Sequence, residues 1–130
     1  MVPDSVMTEI SARWPGDRTR QAVQDASWIE RSDHGSIKAE IAAWGLGPGE
    51  SAVLAMSAEM SDVEAILDDQ SARRCARALG SSVRGTLGLI LLAKNRGMIP
   101  AARPVLEDLI RGGMYPSGPT LDKALQRVGE

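Results

Sequence analysis

Apolar positions recur at helical spacing along most of the chain and bunch into short extended runs at a few places. Val6 and Ile10, with Trp14 beyond them, fall near one face of a first helix that Asp4 or Ser5 can cap. Pro15-Gly16-Asp17 breaks it, and Thr19 to Ala26 predicts a short helical piece with Ala22, Val23 and Ala26 on one side. Trp28-Ile29-Glu30-Arg31 predicts a short strand, with a turn over Ser32-Asp33-His34-Gly35. Ile37, Ile41 and Trp44 align in a helix from Ser36 to Trp44.

Gly45-Leu46-Gly47-Pro48-Gly49-Glu50 opens the next helix. Proline just inside a helix start and an acid in the first turn both suit the exposed amides there. Small and apolar residues then run to about Met60, which predicts a largely buried helix. Val63 to Leu67 reads as a strand that ends in Asp68 and Asp69. A helix closed by Gly80 follows, then a short extended piece over Ser81 to Arg84. Gly85 to Gly97 is apolar nearly all round until Lys94, which predicts a buried helix. A helix from about Ala101 to Arg111 stops at Gly112-Gly113, and Met114 to Pro119 is a turn-rich link. Thr120 is positioned to cap a last helix carrying Leu121, Ala124, Leu125 and Val128. Strands alternate with helices, which predicts an α/β fold, helix-rich, with a thin parallel sheet. Nothing before Pro3 reads as a strand.

Composition narrows the class. The 130 residues make one domain large enough for a core, and with no Phe and one Tyr that core is aliphatic. Fifteen Lys and Arg against 17 Asp and Glu leave a net charge of −2, which argues against a general nucleic-acid coat protein but leaves room for an enzyme with a local basic patch. Cys75 is the single cysteine, so no internal disulfide forms, and a cytoplasmic location fits best. No signal peptide is visible, and the longest apolar run, Leu87 to Ala93, is far short of the roughly 18–20 residues that cross a bilayer.

The candidate chemistry lies in acids at element ends: Glu9 on the first helix, Glu50 at the start of a later one, and Asp68-Asp69 after a strand. In open parallel sheets ligands sit beyond the carboxyl ends of strands, where such acids suit a hard divalent cation. Each also has a purely structural reading: Glu9 as solvated surface, Glu50 as dipole partner, Asp68 or Asp69 as helix cap. Arg73, Arg74 and Arg77 follow on the next helix and Arg84 on the next extended piece, as phosphate contacts or as surface charge, the latter favoured for Arg77. The glycines around Pro48 lack the Lys-Ser/Thr ending and preceding strand of a P-loop. His34 has no partner histidine for zinc, and Cys75 reads as a small core residue.

Several separated motifs, in order and over nearly the whole chain, resemble a bacterial and archaeal branch of the PIN-domain superfamily, the branch that includes VapC-type toxins. They are Val2-Pro3 through Glu9-Ile10, Leu46-Gly47-Pro48-Gly49-Glu50, Ile66-Leu67-Asp68-Asp69-Gln70-Ser71-Ala72-Arg73-Arg74, and Val83-Arg84-Gly85-Thr86-Leu87-Gly88-Leu89, with the tail from Gly97-Met98-Ile99-Pro100 to Glu130. The resemblance implies a three-layer α/β/α fold with a short parallel sheet. It implies a metal-dependent ribonuclease in which Glu9, Glu50 and Asp68, with Asp69 beside it, hold Mg²⁺ or Mn²⁺. The ion would activate water for phosphodiester hydrolysis. RNA is the implied substrate, a small antitoxin protein the implied partner, and a homodimer a common assembly of such toxins. The family normally begins with a further strand that supplies a first metal-binding Asp, and this chain starts after it. The expectation is therefore a metal seat short of one ligand and weak or absent cleavage, with a non-catalytic binding or regulatory remnant as the alternative. A plain α/β domain whose acids are caps is the third reading.

Overall fold

In chain order the elements are β1 (Val2–Pro3), α1 (Asp4–Ser11), α2 (Arg18–Asp25), β2 (Arg31–Ser32), α3 (Ala39–Ala42), α4 (Pro48–Glu59), β3 (Ala65–Ile66), α5 (Gln70–Ala78), β4 (Val83–Arg84), α6 (Thr86–Asn95), α7 (Arg103–Arg111) and α8 (Gly118–Gln126). The computed structural model describes residues 1–13, 15–33, 35–114 and 118–130. Trp14, His34 and the middle of the link before α8, all given roles in the sequence reading, lie outside them. The chain divides into two compact units, Met1–Val83 and Arg84–Glu130.

The first unit is built on α4. Gly47 caps it, Pro48 stands in its first turn, and Gly49, Ser51, Ala52, Leu54, Ala55 and Met56 are buried. A stripe of small residues lets neighbours approach closely, and α4 packs against α1, α3, α5, β1 and β3. The core joins Leu54 and Ala55 to Ile41, Leu67, Ala72 and Cys75, with Leu46, Leu79 and Val83 packed around them. Cys75 is buried as expected, and burial together with the Glu40 charge pushes its thiol pKa up.

The strands are short and pair two by two. β1 runs parallel to β2, with Val2 opposite Arg31 and Pro3 opposite Ser32, and the Val2 N–H donates to the Glu30 carbonyl at 2.7 Å. β3 pairs with β4, and the Ala65 N–H donates to the Ser82 carbonyl at 2.9 Å. The helix-rich α/β architecture with short parallel pairing is thus the expected one. Details differ. Val2–Pro3, read from the sequence only as a helix start, is a strand, because β2 supplies its partner. The strand expected at Trp28–Arg31 is displaced to Arg31–Ser32, where β1 ends its reach, and Trp28 is 81% exposed. The helix expected over Ser36–Trp44 keeps only Ala39–Ala42, between an extended Lys38 and Gly45 at φ +63°.

In the second unit α6 packs against α7 and α8, and Ile90, Ala102, Leu106 and Leu125 form its core. α6 is less buried than its all-round apolar sequence suggests: Ile90 is its one buried residue and Leu89 is 42% exposed, since two helices cannot cover every face. Thr120 lies inside α8, not at its cap. The Glu130 carboxylate accepts from the backbone N–H groups of Ala102 (2.7 Å) and Arg103 (2.9 Å), which closes the amide end of α7. Among the described residues no helix is long and apolar enough to cross a membrane.

Candidate metal and active site

The first turn of α4 gathers two of the acids. Helix starts leave backbone N–H groups without intrahelical partners, and carboxylates satisfy them well. Glu50 turns back so that its Oε2 accepts from the Gly47 N–H at 3.1 Å. Glu9 arrives from α1, and its Oε1 accepts from the Gly49 N–H at 2.9 Å, across forty positions of sequence. Glu9 is exposed and Glu50 half-buried, so both remain reachable from solvent.

The pair after β3 divides by role. Asp69 is the N-cap of α5, and its Oδ1 accepts from the Ala72 N–H at 2.8 Å. Leu67 turns into the core, while Asp68 is exposed on the short link between them. On α5, Arg74 donates to the Ser71 hydroxyl at 3.2 Å, and the Nε of Arg73 is buried without a hydrogen-bond partner. Arg84 begins the second unit, where its Cγ lies against Gly88. Among the described residues no group of three His, Cys, Asp or Glu side chains converges as a metal seat. Glu9 and Glu50 accept from amides at the start of α4, and Asp68 does not join them in such a group.

The donor chemistry of that turn still suits Mg²⁺. The ion takes oxygen ligands, keeps several waters, and is commonly held by one or two carboxylates together with substrate phosphate. A cavity of about 510 Å³ lies elsewhere in the first unit, between β1, α4 and β3. Its lining is apolar, with Pro3, Val6, Val53, Met56 and Ile66 among its walls and Glu64 as its one acid. It is a poor place for phosphate chemistry.

The Glu9–Gly49 contact was not read from the sequence. A glycine inside a helix start is the local signal that was available, because glycine there costs stability unless something needs the space.

The family model DUF3368, a PIN domain, matches residues 1–130, and the chain belongs to that family. The sequence matches no curated protein and no solved structure.

Proposed function

We propose that this chain is a metal-dependent ribonuclease of the PIN family, with Glu9 and Glu50 as the acids that hold Mg²⁺ or Mn²⁺. The observation that carries the reading is the arrival of the Glu9 carboxylate from α1 on the Gly49 N–H, in the first turn of α4 that itself carries Glu50 as its capping-box acid. Asp68 is the third acid of the reading, on the exposed link after β3, and Asp69 contributes chiefly by starting α5. When bound, the ion supplies an activated water and a positive charge for the phosphate in flight. Arg73 and Arg74, on the helix that follows Asp68 and Asp69, are the phosphate contacts of this reading. A toxin role, held in check by a small antitoxin protein, is the biological setting we favour, with a homodimer as the assembly.

A non-catalytic binding or regulatory role is the second reading. The lack of a three-acid group among the described residues favours it.

Thermal unfolding with and without Mn²⁺, on the parent and on Glu50→Gln, separates the two. An ion that binds only the folded state stabilises it by about 2.7 kcal/mol at roughly a hundredfold over its dissociation constant. The nuclease reading expects Mn²⁺ to raise the midpoint of the parent and not of Glu50→Gln. It also expects Mn²⁺-dependent cleavage of single-stranded RNA that the same substitution abolishes. RNA binding without cleavage and without a Mn²⁺ response supports the second reading.

A further inference from the structure

Gly49 is buried in the second position of α4, and its N–H holds Glu9. A Cβ built on this residue would stand 2.8 Å from Glu9 Oε2, 2.9 Å from Oε1 and 3.0 Å from Cδ. Those distances are shorter than side-chain atoms tolerate, so the carboxylate occupies the space a side chain would take. The backbone has no need of glycine here, since the residue lies within a helix and alanine is the better helix former. The obstructed group is the far end of a flexible side chain, which can swing aside without disturbing the fold.

We propose that Gly49 is a positioning residue for Glu9: the absent side chain opens the slot that docks the carboxylate on the α4 amide, beside Glu50. The proposal rests on the reading of Glu9 and Glu50 as the cation-binding pair. It assigns Gly49 a task apart from turn formation. With Oε1 fixed by the amide, Oε2 is held in one place for an ion, and the long Glu9 side chain loses little further freedom on binding. Any side chain at position 49 releases Glu9 to solvent while the helix persists.

The test is a double-mutant cycle of Gly49→Ala and Glu9→Ala, read by thermal midpoint without metal, together with the Mn²⁺-induced shift of the parent and of Gly49→Ala. Alanine at 49 is expected to raise the midpoint more in the Glu9→Ala background than in the parent, because only the parent loses the Glu9 dock. Gly49→Ala is expected to keep a cooperative transition and to lose the Mn²⁺ shift. Equal midpoint changes in the two backgrounds overturn the proposal, and so does an undiminished Mn²⁺ shift in Gly49→Ala. If the parent itself shows no Mn²⁺ shift, the metal reading fails by itself, and the cycle alone decides whether Gly49 docks Glu9.

Discussion

Asp69 and Asp68 are neighbours with different work. Asp69 caps α5 through its Oδ1, so Asp69→Ala is expected to cost about 1 kcal/mol in urea unfolding, while Asp69→Asn keeps the cap and most of the stability. Equal losses for Asn and Ala would show that the charge, not the cap, matters there. Cys75 makes a residue-scale prediction of another kind. Burial and the nearby Glu40 hold its thiol in the protonated form, and the thiolate is the reactive species. Alkylation in the native protein at pH 7–8 is therefore expected to be far slower than after unfolding, as followed by mass spectrometry. Both roles were legible in sequence, because an acid before a helix and a cysteine among alanines carry local signals.

At the scale of elements, α4 and α7 show how helix starts are held by distant or local acids. Glu130 closes α7 from the far end of the second unit, and the Ala102 and Arg103 amides hold its carboxyl below the ordinary glutamate range. A lowered pKa in the folded state stabilises above the unfolded value and is lost as pH falls through the folded one. The second unit is thus expected to loosen below about pH 4.3, the ordinary glutamate value. Glu130→Gln should flatten that dependence while keeping the hydrogen bonds in part, as judged by hydrogen exchange at the α7 amides. For α4, the fully buried Leu54 sits at the centre of the first core, and Leu54→Ala is expected to cost about 2–5 kcal/mol. The start of α4 was readable from Pro48 and Glu50, whose preferences are local. The two-residue strands were not, because a strand that short exists only where a partner meets it.

For the whole molecule, the net charge of −2 gives no general attraction for a polyanion. Under the nuclease reading, affinity for single-stranded RNA is expected to be weak in EDTA, to rise with Mn²⁺, and to fall with salt. Fluorescence anisotropy measures all three. Tight binding that ignores Mn²⁺ would shift the balance to the non-catalytic binding reading.

Local patterns along the chain were enough to show where most helices begin, the helix-rich α/β class, the aliphatic core and the acids at element ends. Each of these depends on residues within a turn or two of one another. Tertiary structure alone decided that Val2–Pro3 meets Arg31–Ser32, that α6 leaves Leu89 exposed, and that Glu9 docks on Gly49. Those outcomes join residues tens of positions apart, and no local propensity or spacing records which distant partner a backbone amide will find.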